Sequence, residues 1–463
     1  MSRWYLLTLL LFGSVCLFFT PSLMPAAHAQ GIDAPPPVLT PAPGDTTTPA
    51  PPAGETTPGT TTAPATSETP SPAGTNTQAS GKFPSKSAIH DALAEGHPVD
   101  AESAYLAWVS YWGEDDPTLL ISVEHEVLLQ QFRAGKFAAL IAMVKAGDPE
   151  ATSVLKSLVV SGRGKLPVAD FAAAIRMLGQ SQDKELLNTL RLTLYSEDKE
   201  VVNAAIEALG NLGDMRVVPE LMRMFEKADV ERAVCLARAL TKLGAAKELQ
   251  KRYLPQLHFP LPGASEKAAL ILGATGNPTG WAVINKIMTE KEPTYYPLVL
   301  TILSALPSAE SQAWVAQGLA GSEQEQLAAL KSISVFPVQR KQAYLLQLSR
   351  DAKATIGVRV AAIDALGETR TDRALKELRT AALRWEPSDP SKESPARDPE
   401  QVKAEAKVTG AAILSLQKWG MFKDNEFRKF FRIRIDEEKW DENVVLAART
   451  AMLRFALEAR AGL

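Results

Sequence analysis

The sequence predicts an all-α fold: an α-solenoid of stacked helix pairs with repeats of about 31 residues, preceded by a signal peptide and a disordered Pro/Thr-rich segment. Three observations predict it. One internal pattern recurs at a nearly constant interval, each copy carries apolar residues at helical spacing, and no stretch alternates in the manner of strands joined by hairpin turns. The 463 residues are 46% hydrophobic, with 50 Lys plus Arg against 53 Asp plus Glu and a formal net charge of -3. Such a composition excludes a chain that is wholly disordered or wholly membrane-embedded. Near-neutral charge gives no general attraction to phosphate polymers, so nucleic acid is not an expected partner.

Residues 1–29 carry Arg3, a largely apolar run from Trp4 to Phe19, Pro21, Pro25 and the small-residue triplet Ala27-His28-Ala29. That order is the one a secretory signal peptide needs, and the run is shorter than the roughly 20 residues of a membrane span. Cys16 lacks the small-residue context of a lipid-attachment site. Export is therefore expected, to the periplasm, the cell surface or the medium. Removal of residues 1–29 leaves Cys235 as the sole thiol, so packing rather than a disulfide must stabilise the body.

Residues 30–82 form the expected linker. Between Gly31 and Ser80 there are 12 Pro, 13 Thr and four acids, with no Lys, Arg or aromatic residue. Nothing there can build a core, and the Pro density favours an extended spacer.

The body divides into an irregular helical cap region over 83–164, repeats over 165–384, an inserted polar loop at 385–400, and a C-terminal repeat with capping helices over 401–463. The repeat is visible by self-comparison. Val201 to Asp214 matches Val358 to Gly367, and Ala173 to Gly179 is a third copy one unit earlier. Anchor positions fall at Leu178, Leu209, Leu240, Leu272, Leu303, Ile333, Leu366 and Leu416, about 31 residues apart except across the inserted loop. Within a copy, Val201, Ala205, Ala208 and Leu212 share one helical face. Gly210 and Gly213 are expected to take left-handed conformations that end the helix. Val217, Val218, Leu221, Met222 and Phe225 supply the second stripe, and Asp229 stands at the N-cap of the next unit. One such pair cannot bury its own apolar faces, so stacking must supply the core, as a rod or arc about 70 to 80 Å long.

The Ala-Ala-x-x-Ala-Leu-Gly-x-Leu-Gly-Asp pattern of 204–214 and the Val-Arg-x-Ala-Ala-x-x-Ala-Leu-Gly form of 358–367 resemble HEAT repeats of the short type also found in bilin lyases. The likeness spans about residues 165 to 420. It implies an α-solenoid that binds a protein partner along its concave face. Thr241, Ser304 and Ser334 replace the first Gly, so those units are expected to turn differently.

Outside the repeats, Tyr105, Trp108, Tyr111 and Trp112 form a stripe read as an N-terminal cap packed on the first unit. Near the other end, Lys418, Lys423, Arg428, Lys429, Arg432 and Arg434 interleave with aromatic residues. They are the candidate contacts for an anionic surface, either a membrane or an envelope polymer, although aromatic burial with solvated cations explains the same pattern.

No catalytic constellation emerges. His90 and His97 are separated by a helix end, and Glu124-His125-Glu126 point in different directions from one helix, a pattern read as surface charge. Cys235 occupies the column of Ala173, Ala204 and Ala361 and reads as a small core residue with a raised thiol pKa. Gly162-Arg163-Gly164-Lys165 lacks the spacing of a phosphate loop. No cofactor, metal site or catalytic residue is expected. The sequence thus predicts an exported, non-catalytic scaffold of the bacterial envelope that binds protein or polymer. The alternatives are a lyase- or isomerase-like enzyme with its site in the groove, and an envelope-structural protein gripping an anionic polymer. Ionisable groups converging in one concave pocket would favour the enzyme, and an extended stripe the binder.

Overall fold

A computed structural model of the chain describes residues 83–462, apart from 162–165, 182, 260, 262, 385–397 and 436–438. The expected signal peptide, the linker and most of the inserted loop lie outside the described residues, as does Gly162 to Lys165. Among the described residues there are twenty-two α-helices and no β-strand. None of these helices is long and apolar enough to cross a membrane.

Five helices precede the repeats: α1 (Lys86–Ala94), α2 (Pro98–Trp112), α3 (Pro117–Arg133), α4 (Phe137–Ala146) and α5 (Pro149–Ser161). Pairs then follow: α6 (Val168–Gln180) with α7 (Leu187–Thr193), α8 (Lys199–Leu212) with α9 (Val218–Glu226), and α10 (Val230–Lys242) with α11 (Ala246–Tyr253). They continue with α12 (Ala264–Ala274) and α13 (Trp281–Glu290), α14 (Tyr296–Ile302) and α15 (Ala309–Leu319), and α16 (Glu323–Leu330) and α17 (Val338–Arg350). The series ends with α18 (Ile356–Gly367) and α19 (Asp372–Arg384), α20 (Pro399–Lys418) and α21 (Asn425–Ile433), and the long α22 (Glu442–Arg460).

Local chemistry explains this punctuation. Asp229 accepts a hydrogen bond from the Arg232 N–H and caps α10, as its position in the repeat predicts. Asp148 accepts from the Glu150 and Ala151 N–H groups at the start of α5. Inside the pairs, Asp183, Asp214 and Asn277 each accept from the N–H two residues on, opening a short 3₁₀ turn into the second helix. The terminal Asp of the repeat signature is therefore a cap for the pair's second helix.

The two signature glycines do different jobs. Gly213 ends α8 at φ 71°, the left-handed conformation expected of it. Gly210 instead stays helical: a Cβ there would meet the Ala239 Cα at 2.9 Å, and one at Gly179 would meet the Ala208 Cα at 2.3 Å. The first glycine is thus a contact surface for the next unit's inner helix. Where Ser304 and Ser334 replace it, α14 and α16 are short and give way to 3₁₀ turns, whereas Thr241 bonds back to the Ala237 carbonyl and α10 runs on.

All eight anchors are buried, from Leu178 to Leu416, the most exposed being Ile333 at 5%. They form one apolar core with Ala204, Ala205, Ala208, Leu221 and Phe225. The first helices of successive pairs pack directly on one another, α6 on α8 and α8 on α10, while the second helices α7, α9 and α11 scarcely touch. Small residues on the inner row and large ones on the outer row tilt each unit toward the same side.

Summed over the series, that tilt brings the ends together. Helix α22 packs against α3 and α4, so the row closes instead of running out as an open rod or arc. Three sets of ion pairs lie along the seam. Arg449 is bidentate on Glu102 at 2.8 and 2.6 Å, Asp115 takes Arg428 at 2.8 Å and Arg432 at 2.6 Å, and Lys136 meets Glu442 at 3.1 Å. The cap region accordingly packs on the last helices as well as on the first pair. Tyr105 and Trp108 are buried within it, but Tyr111 and Trp112 are more than half exposed, because only one side of α2 faces the seam.

Candidate functional site: the inner wall

The first helix of each pair shows one face to its unit's core and the opposite face to the interior of the closed row. In anchor-relative register, the position two residues before the anchor is Arg176, Glu207, Arg238, Leu270, Thr301, Lys331, Asp364 and Leu414. All of these but Leu270 line interior cavities. Residues two after the anchor, among them Asn211, Lys242 and Lys418, extend the same face. This column is readable from the sequence once the anchors are aligned, but only if the direction of curvature is known, and no local pattern gives that direction.

Three cavities lie between opposing stretches of the wall. One of about 490 Å³ brings Phe137, Ile141 and Lys145 of α4 and Ala173 of α6 opposite Val360 and Asp364 of α18 and Leu414 of α20. A neighbour of about 600 Å³ shares Lys145, Asp364 and Leu414 and adds Met177, Lys418 and Arg454. The third, about 380 Å³, lies between α6, α8 and α10 on one side and α14 and α16 on the other. These volumes fall within the range of about 300 to 1,000 Å³ usual for ligand pockets.

The wall is electrostatically biased. Eight basic and four acidic side chains line the three cavities, although acids outnumber bases in the whole chain. Some cations are committed: Arg176 to Glu207 at 3.1 Å, Lys242 to the Asn211 amide oxygen at 2.6 Å, and Lys418 to Glu368 at 3.1 Å. Lys145 and Asp364 face one another across the first cavity. Both reach water, yet protein surrounds them on most sides. Desolvation pulls the Lys145 ammonium below its ordinary range, with the Asp364 charge opposing the shift. Desolvation likewise pushes the Asp364 carboxyl up, against the pull of Lys418 and Lys145.

Chemically the wall offers dispersed cations and apolar patches. None of the residues lining these three cavities is a histidine, and no group of three or more His, Cys, Asp or Glu suited to a metal occurs among the described residues. Cys235 lines the smallest of the three cavities and is only partly buried, because its column borders the interior, as Ala173 does at the first cavity. Desolvation, assisted by Glu207 and Glu231, pushes its thiol up to about 12.

The other sequence candidates are placed as follows. Of the anionic-surface set, Arg428 and Arg432 hold Asp115 at the seam, Arg434 is buried under Phe430 and Trp440, and Lys418 lies on the inner wall. Lys423 and Lys429 are exposed. Glu124, read as surface charge, is fully buried where α3 meets α22, since closure of the row covers it. Its carboxyl stands 4.0 Å from Arg449 and is held well above the carboxylate range by desolvation and the Glu102 charge. His125 turns instead to Asp148 at 2.6 Å. His90 belongs to α1 and His97 precedes α2, so they share no helical face.

A family model of HEAT repeats matches residues 170–241. These residues are HEAT repeats. They comprise α6 to α10, which supply one side of the smallest cavity, including Arg176, Glu207 and Arg238. No curated protein gives a match to the chain. HEAT repeats generally mediate protein–protein interaction, which is compatible with a scaffold.

Proposed function

We propose that this chain is an exported, non-catalytic HEAT-repeat scaffold that binds a protein partner along the inner wall of its closed row. The observation that carries the reading is the anchor-minus-two column, by which six of the eight units present a polar or charged side chain to one shared interior. Binding distributed over many units is the ordinary use of a repeat surface, and mixed charge with apolar patches suits a polypeptide better than a single small substrate. Export rests on the signal-peptide pattern of residues 1–29, and the bacterial envelope is the compartment proposed. A membrane or polymer contact through α21 and the 3₁₀ turn before it would fall to Lys423 and Lys429.

The test is a photo-crosslinking amino acid placed at Thr301 or Leu414 on the wall, with one at exposed Leu192 as the control, in intact cells. One stoichiometric protein captured from the wall positions and not from Leu192 supports the reading; equal capture from both sides refutes it. N-terminal sequencing of the chain from envelope fractions checks export, with a start at Gln30 expected and an intact Met1 contradicting it.

A further inference from the structure

We infer that the smallest interior cavity is an anchor for an acidic side chain of an extended peptide, held by Arg238 and Lys331. The inference rests on the scaffold reading above and adds the chemistry of the partner. Arg238 projects from α10 and Lys331 follows α16, so opposite walls aim a cation each into the same space of about 380 Å³. Their neighbours are satisfied: Arg176 has Glu207 and Lys242 has Asn211. Arg238 and Lys331 are exposed, and among the described residues neither side chain has a hydrogen bond or ion pair. Four cations line this cavity against Glu207 and Glu231, and Glu207 is held by Arg176, so the space keeps a net positive charge that an anion between Arg238 and Lys331 offsets. The guanidinium fork suits a carboxylate, with the ammonium as a point charge on its far side.

The run of cavities selects peptide over other anions: the two neighbouring cavities are lined by Phe137, Ile141, Val360, Leu414 and Met177, and a polypeptide brings apolar side chains alongside its acids, whereas inorganic polyphosphate has none. The neighbouring cavities along α6 continue the wall and favour an extended chain over a compact one.

The experiment uses the full chain and fluorescein-labelled octaglutamate, with octaglutamine and polyphosphate as comparison probes. Affinity is read by anisotropy across a salt series, and occupancy by protection of the exposed Lys331 amine from acetylation, measured at that residue by peptide mass. Octaglutamate is expected to bind and protect Lys331. The double substitution Arg238→Gln/Lys331→Gln should weaken it by about tenfold or more, whereas Lys247→Gln/Lys251→Gln on α11 should not. Equal binding of octaglutamine, unchanged acetylation of Lys331, or equal loss from the two double variants would overturn the inference. Protection by polyphosphate alone would overturn it in favour of an inorganic polyanion. A partner crosslinked to the wall that places no acid at this cavity would also overturn it while leaving the scaffold reading in place.

Discussion

Substituting Gly179 by Ala tests the close approach on which stacking depends. In a solvent-exposed helix that change stabilises by about 1 kcal/mol, because Ala is the better helix former. Here the added Cβ would lie 2.3 Å from the Ala208 Cα, 2.5 Å from its Cβ and 2.8 Å from its carbonyl oxygen. Ordinary carbon contacts lie at about 3.5 to 4.0 Å, so α6 and α8 must separate by roughly 1 Å. The obstacle is backbone and cannot rotate away. Overpacking of this kind costs about 1 to 3 kcal/mol, and separation also loosens Ile175, Ala204 and Leu209, which are fully buried. A clash with backbone puts the cost at the upper end of that range, about 3 kcal/mol, so the expected net effect is destabilisation by about 2 kcal/mol after the propensity gain is subtracted. Urea denaturation followed by circular dichroism measures it, and the double variant Gly179→Ala/Ala208→Gly should recover much of the loss. A Gly179→Ala protein as stable as the parent, or more so, would show that these helices do not meet as described.

Three further outcomes are expected. Replacing Arg449, which is 1% exposed, by Met leaves Glu102 buried without its partner and should lower stability by about 3 to 5 kcal/mol in the same assay; a loss below about 1 kcal/mol would mean that the seam is not buried. Glu124 has a folded-state pKa above its unfolded value, so its contribution is fully present below the ordinary carboxylate range and is lost as pH rises through the folded value. Glu124→Gln should therefore flatten the stability profile and raise stability at neutral pH, and parallel profiles for the two proteins would count against a buried acid. The His125 pKa is raised, chiefly by its hydrogen bond to Asp148 with desolvation opposing, so its stabilisation is present below about pH 6.5 and fades as pH rises through the folded value. NMR titration of His125 should show that elevation, reduced in Asp148→Asn; an identical titration in both would break the assignment.

The period, the anchors and the Asp229 cap were legible because each depends on residues within one unit or the next. Leu209 and Leu366 are buried for the reason their spacing suggests. Closure was not legible. Glu102 and Arg449 lie 347 positions apart, and their meeting depends on a small tilt repeated over every pair, which no local pattern encodes. Several misreadings follow from that one omission. Glu124 looks like surface charge until α22 covers it, and Arg428 and Arg432 look free until Asp115 is opposite them. Gly210 hides its role for a nearer cause: next to Gly213, a second turn glycine is the simpler reading, and only the position of Ala239 reveals the packing role. The inner-wall column was present in the sequence as mixed residues in fixed register, but a helix has several polar faces, and curvature decides which one becomes interior.

Zero-length carbodiimide crosslinking of the monomer tests closure most directly, because it joins only an amine and a carboxylate already in contact. Lys136 and Glu442 are 3.1 Å apart across the seam, so a crosslinked peptide pair joining them within one chain is expected. Absence of that product, together with the hydrodynamic radius of an extended array, would contradict a closed row and with it the enclosed inner wall.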